Sequence, residues 1–240
     1  MHVWPTVFHL TQYKAGSQWI YHILKRCAPE RIVTPKAQVE HAVKDQILEG
    51  YIYPTVYLAK EEFEQIKKPA DTTFFVVLRD LRDITVSAYF SLKISHVAMA
   101  GIPEIRHELC RQDLEAGLIW VIENETQYNA HIGRSWAESG EQWIRYEDLL
   151  NRDIELLQEA LLHRCRLPIK EPVLKQAIFS CRFDQFSGGR RRGDEDVHSH
   201  VRKGVSGDWR QYFSAAVKAA FKERFGDVLI ACGYEKDNDW

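Results

Sequence analysis

No stretch of this chain approaches the ~20 consecutive apolar residues that cross a bilayer. Met1 leads almost directly into a strand-like run, without the basic, apolar and cleavage regions of a leader in order. These absences predict a soluble, cytoplasmic protein that does not insert into membranes. The five cysteines (Cys27, Cys110, Cys165, Cys181, Cys232) are odd in number, dispersed and free of any CxxC pair, which predicts reduced, small apolar core residues. Ten histidines contain no HExxH, and His198-Ser-His200 is the nearest approach to ligand spacing, so no metal is predicted. Excess charge of either sign is missing as well. A formal net charge of −2 excludes coating of nucleic acid or an anionic membrane by bulk electrostatics. Repeats and low-complexity tracts are absent, and 240 residues fit one α/β domain covering 1–240.

What is present is an alternation of strand and helix patterns. Val3–Leu10 and Thr72–Leu78 read as buried strands, the second β-branched or aromatic throughout. Tyr51–Leu58 reads as an extended, tyrosine-rich stretch, and Gln142–Tyr146 as a further strand. Helical patterns follow Ser17 and cover Gln38–Leu48, Glu61–Lys68, Asp83–His96, residues 111–132, 153–165 and 172–181, and Ser214–Phe225. Such alternation predicts a central parallel sheet flanked by helices. Arg182–Asp208 is rich in glycine, arginine and acids without periodicity, and reads as a long loop.

Three segments bring chemistry. At Lys14-Ala15-Gly16-Ser17-Gln18-Trp19 a strand turns into a helix; Gly16 permits close backbone approach, and Ser17 suits the N-cap. Free N–H groups and the helix dipole there favour an anion, with Lys14 adding a charge; the plainer reading is an ordinary strand–helix turn that holds a lysine. Arg79 at a strand end precedes Ser87 on the next helix, a fork and a hydroxyl able to hold one phosphate, or else a structural Arg79–Asp83 pair. Arg202-Lys203-Gly204 places two cations beside a glycine, an anion site or a solvated basic loop.

Together with Arg145-Tyr146-Glu147-Asp148-Leu149 and Gly207-Asp208-Trp209, these segments resemble the cytosolic-type sulfotransferases that use 3′-phosphoadenosine 5′-phosphosulfate (PAPS). They stand in that family's order and spacing. The resemblance implies the P-loop-like sulfotransferase fold, PAPS as donor, 3′-phosphoadenosine 5′-phosphate (PAP) as product, no metal, and sulfuryl transfer to a hydroxyl, or as the less favoured case an amine, of a small-molecule acceptor. It puts Lys14, Ala15, Gly16, Ser17 and Gln18 at the 5′-phosphosulfate, with Lys14 catalytic, and Trp19 at the adenine. Arg79, Ser87, Arg202, Lys203 and Gly204 fall at the 3′-phosphate, and Tyr146 near the base. Lys14 precedes its glycine, whereas a nucleotide P-loop places lysine after the glycines. A kinase is therefore the less favoured alternative.

One departure stands out. The family's catalytic histidine follows the second strand, where this chain reads Glu49-Gly50-Tyr51-Ile52-Tyr53-Pro54-Thr55. Tyr51 and Tyr53 are the expected catalytic replacements, with Glu49, His41 and His96 as substitutes. The missing histidine also keeps open a nucleotide-binding regulator that has lost turnover. Arg190-Arg191-Arg192 is expected to form a lid balanced by Asp194, Glu195 and Asp196, with one arginine reaching the cofactor.

Overall fold

The computed structural model describes residues 4–35, 46–97 and 99–240. Four parallel strands form its sheet: β1 (Thr6–Thr11), β2 (Ile52–Val56), β3 (Thr72–Leu78) and β4 (Trp143–Arg145), in the order β2-β1-β3-β4. The helices are α1 (Ser17–Cys27), α2 (Lys60–Glu64), α3 (Leu81–Phe90), α4 (Ile102–Cys110), α5 (Leu114–Asn124) and α6 (Gln127–Ala137). After β4 come α7 (Tyr146–Gln158), α8 (Glu171–Ser180), the short α9 (Phe183–Phe186) and α10 (Ala215–Ala231). This is the expected α/β architecture, a parallel sheet flanked by helices.

Strand alternation decides the packing, because successive side chains point to opposite faces. Val7, Phe75, Val77, Ile52 and Ile144 face α1, α7 and α8 and bury Ile23, Leu24, Leu149 and Leu174. Phe8, Leu10, Val76 and Leu78 face the other way, onto Phe63 and Trp136. His9 sits within the sheet, fully buried and stacked on Phe75 at 4.7 Å. Its Nδ1 is 2.6 Å from the Pro54 carbonyl oxygen while Nε2 has no partner among the described residues, and burial lowers its pKa to about 4. A third cluster joins α3, α5 and α10 through Tyr89, Val121, Phe221 and Leu229. There the Arg82 guanidinium lies 4.0 Å from the Trp209 ring and 4.5 Å from the Trp240 ring, paired with Asp80 and Glu235.

The strand order positions the site. β1 has β2 on one side and β3 on the other, so the connections leaving β1 and β3 diverge and open a crevice at their carboxyl ends. Thr11 of β1 pairs with Val77 of β3, which brings the segments containing Lys14 and Arg79 to the same edge.

Several boundaries differ from expectation. Val3 lies outside the described residues, as does most of the helix expected at Gln38–Leu48; its described remainder, 46–48, is irregular. The helix expected over 111–132 is two, because Asp113 accepts from the Ala116 N–H and caps α5, and Thr126 Oγ1 donates to the Val121 carbonyl where α5 ends. Tyr146 begins α7 rather than ending β4, and α7 runs on through a π-turn at Glu159–Arg164. The final helix passes through Gly226, where a Cβ would stand 2.1 Å from Asn238 Oδ1. Close packing, not helix termination, accounts for that glycine.

Candidate active site

The turn after β1 is built by buried Gln12. Its Nε2 donates to the Asn129 carbonyl at 2.8 Å, and its Oε1 accepts from the Arg79 N–H at 3.0 Å. One side chain thus fastens the ends of β1 and β3 to α6. Lys14 adopts φ 68°, a left-handed conformation that a non-glycine residue takes only when its surroundings enforce it. Gly16 follows at φ 83° and serves as the N-cap of α1. A Cβ on Gly16 would lie 2.7 Å from Tyr146 Cε2, so the glycine lets the loop close against that ring.

Two expectations are corrected here. Ser17 is the first residue of α1, not its cap; its Oγ pairs with the Tyr57 hydroxyl at 2.8 Å. Ala15 is fully buried, its N–H donates to the Gln12 carbonyl at 3.3 Å, and it is not on the cavity wall. The N–H groups of the first turn of α1 lack intrahelical acceptors, and that turn has neither a capping side chain nor an acid. Positive potential is left over the cavity beside it.

The cavity has a volume of about 490 Å³. Lys14, Gly16, Ser17, Gln18, Trp19, Arg79, Ser87, Tyr146, Arg202, Lys203 and Gly204 all line it. Four segments distant in sequence therefore share one space, and among the described residues no aspartate or glutamate lines it. Tyr51 and Tyr53 do not. Tyr53 is buried in β2, stacked on Phe8 at 4.6 Å, with its hydroxyl accepting from the Leu48 N–H. Tyr51 lies against the Arg31 guanidinium, 5.7 Å from its ring. Phe8 pairs with Tyr53 but Leu10 with Val56, so a register shift after Tyr53 interrupts the alternation of β2, and neither ring lines the crevice. Thr55 and Tyr57 line it instead. Of the substitutes, His96 reaches the cavity, exposed Glu49 does not, and His41 lies outside the described residues.

Electrostatics divide the cavity. The Lys14 ammonium has no hydrogen bond or ion pair among the described residues, and burial with the nearby charges of Arg79 and Arg202 lowers its pKa to about 8. The Arg79 guanidinium donates to the carbonyls of Lys14 at 2.8 Å and Val205 at 3.3 Å, stacks 4.6 Å from the Tyr146 ring, and stands 3.9 Å from Asp83. The structural pairing with Asp83 and the place at the cavity thus coexist. Asp83 also accepts from the N–H groups of Gly207 at 2.7 Å and Trp209 at 3.0 Å, anchoring the last motif to α3.

Arg202 and Lys203 are not a solvated loop. Arg202 pairs with Glu195 and Asp208, and Lys203 with Asp208 at 2.7 Å. Gly204 takes φ 66°, and a Cβ there would lie 2.2 Å from the Phe183 ring. Arg190 does not reach the cavity. It holds the loop together by donating to the carbonyls of Asp194, Val201 and Arg202 and to Ser199 Oγ. Arg192 is the member of the triplet that lines the cavity, with its guanidinium on the Leu150 carbonyl.

Sequence reasoning missed Thr55, Phe183, Phe186 and His200, all on the cavity wall. Phe183 and Phe186 sit in α9, inside the segment read as structureless; their aromatic i, i+3 spacing was the available signal.

Comparison with known proteins defines the class. The sulfotransferase domain family model matches residues 5–233, and the chain belongs to this family. Human sulfotransferase 1E1 is 20% identical over 214 residues, covering 83% of this chain and 67% of that protein; the Cavia porcellus counterpart is also 20% identical. Mouse sulfotransferase SULT7A1, solved with PAP, superposes with a TM-score of 0.64 at 16% identity, covering 94% of this chain and 84% of its own. Retinol dehydratase with retinol and PAP gives 0.59 at 14% identity, covering 95% and 82%. Among the described residues no helix is long and apolar enough to cross a membrane.

Proposed function

We propose that this protein transfers the sulfuryl group of PAPS to a hydroxyl of a small-molecule acceptor. The convergence of Lys14, Arg79 with Ser87, and Arg202-Lys203-Gly204 on a cavity without a lining carboxylate carries the reading. The missing carboxylates disfavour a cationic amine acceptor. Structural neighbours solved with PAP support the same donor nucleotide.

The residues present suit this nucleotide. The first turn of α1 offers free N–H groups to the 5′ end, and Lys14 offers a charge without a partner. Trp19 and Phe183 contribute flat apolar surfaces to the wall for the adenine. Arg79, Ser87, Arg202, Lys203 and the backbone at Gly204 receive the 3′-phosphate. The donor supplies an activated sulfuryl group, so the protein positions reactants and stabilises charge. Lys14 neutralises the oxygen left by the departing group.

A regulator that binds the nucleotide without turnover is the second reading, favoured because the end of β2 brings Thr55 and Tyr57, not a histidine, to the cavity. Thermal shift with PAP, adenosine 5′-phosphate and ATP, followed by PAPS turnover on an acceptor panel, separates the readings. Selective stabilisation by PAP with turnover supports the transferase. PAP binding without turnover supports the regulator, and a Mg²⁺-dependent preference for ATP overturns both.

A further inference from the structure

The cavity wall offers few groups able to take a proton from an acceptor. Burial raises the pKa of the Tyr57 and Tyr146 hydroxyls and of the Cys181 thiol, and the Tyr57 hydroxyl is engaged with Ser17. None of these is a base at neutral pH. Tyr13 is stacked on Tyr57, Lys203 is paired with Asp208 and Lys14 is assigned to the leaving group, which leaves His96 and His200.

His96 is committed to the chain around it. Its N–H donates to the Ser91 carbonyl and closes the turn after α3, its carbonyl accepts from Arg106, and its Nδ1 lies 2.9 Å from the Val97 carbonyl oxygen. His200 differs. Its ring has no hydrogen bond, ion pair or ring contact among the described residues, yet it lines the same cavity as Lys14. Its backbone is held on both sides. The Arg190 guanidinium donates to Ser199 Oγ at 3.1 Å, to the Val201 carbonyl at 2.5 Å and to the Arg202 carbonyl at 2.8 Å. Asp208 then fixes Arg202 and Lys203. An unengaged imidazole is thus carried on a braced segment that faces the lysine assigned to the leaving group.

We propose that His200 is the general base, removing the acceptor hydroxyl proton from a station in the last loop instead of from the end of β2. This rests on the sulfuryl-transfer reading. The acceptor oxygen forms the new S–O bond as the bond from sulfur to the bridging oxygen breaks. The bridging pair stays on the 5′-phosphate of PAP beside Lys14. The acceptor proton passes to the free imidazole nitrogen of His200 and then to solvent, leaving a sulfate monoester.

The electrostatics agree in direction. Burial, then Lys14 and then His96, lower the His200 pKa to about 4, so the ring is neutral and holds an open lone pair at pH 7. An anionic donor on Lys14 offsets that lysine's charge and makes the ring more basic when a base is needed.

The test compares the full-length protein with H200Q and H96Q, using calorimetric PAP binding and PAPS turnover on hydroxyl acceptors graded from aliphatic alcohols to acidic nitrophenols. H200Q is expected to bind PAP within about threefold of the parent and to lose about 10²-fold or more in kcat on weakly acidic acceptors. The loss shrinks on nitrophenols, which ionise unaided, and the acidic limb of the kcat–pH profile disappears. An equal loss across the series, a retained rate on alcohols, or a loss in H96Q alone overturns the assignment while leaving the transferase reading intact. A parent protein that binds PAP and turns over no acceptor overturns that reading and this assignment with it.

Discussion

The Arg79 guanidinium donates to the Lys14 carbonyl at 2.8 Å, so the cation at the end of β3 also braces the loop that presents the cation after β1. Replacing Arg79 by alanine removes a charge-assisted contact worth about 1.5–3 kcal/mol, equivalent to roughly 10- to 100-fold in PAP affinity. Adenosine 5′-phosphate, lacking the 3′-phosphate, is expected to lose far less. Calorimetry with both nucleotides checks this, and equal losses count against the 3′-phosphate assignment.

Lys14→Met exposes a conflict between stability and function. The cation is partly buried without a counter-ion among the described residues, and its pKa of about 8 lies below the ordinary lysine value of 10.5. Between those values the unfolded chain holds the proton more firmly, so stability attributable to Lys14 rises with pH across that window. The variant is expected to lack that rise and to melt several degrees higher at pH 7, at about 2–4 °C per kcal/mol. Turnover should fall by about 10²-fold or more. PAP affinity should fall less. Thermal melts across pH and steady-state kinetics read both outcomes.

Glu195 is expected to compete with the nucleotide for Arg202. It pairs with Arg202 and accepts from the Tyr212 hydroxyl at 2.9 Å, holding a carboxylate against a cation assigned to phosphate. Glu195→Gln is expected to tighten PAP binding roughly three- to tenfold, in keeping with a partly exposed pair worth about 1 kcal/mol. Weaker binding on titration would show that the carboxylate orders the arginine instead.

Gly204→Ala tests the approach of the last loop to Phe183. Its φ of 66° and a Cβ position 2.2 Å from that ring force either the backbone or the phenylalanine to move. A cost of about 1–3 kcal/mol in stability is expected, with at least a roughly tenfold loss in PAP affinity. Melting temperature and calorimetry report the two separately.

The sequence made the scaffold legible where burial is one-sided and local. Thr72–Leu78 is both the expected and the observed β3, because its apolar run lies between two helical layers. The cations that line the cavity were readable for a similar reason, since each sits in a short motif whose neighbours shape its own backbone. Tyr51 and Tyr53 were misread because anchoring on Gly50 and Pro54 says nothing about which strand face meets the crevice. Thr55 and Tyr57, further along the same strand, face it. His200 was illegible for another reason. Its approach to Lys14 depends on Arg190 gathering carbonyls along the loop and on Asp208 holding two cations, contacts that no periodicity encodes.

The sheet carries its own acid sensitivity in His9. Wedged between strands with one nitrogen unanswered, it resists protonation down to about pH 4, whereas the unfolded chain takes up that proton near 6.5. Stability therefore drains away as a buffer is lowered from 6.5 toward 4, a slope to which His200 adds in the same sense. Preparations kept in mildly acidic solution should unravel from the middle of the sheet, and His9→Gln should flatten the decline without touching the nucleotide crevice.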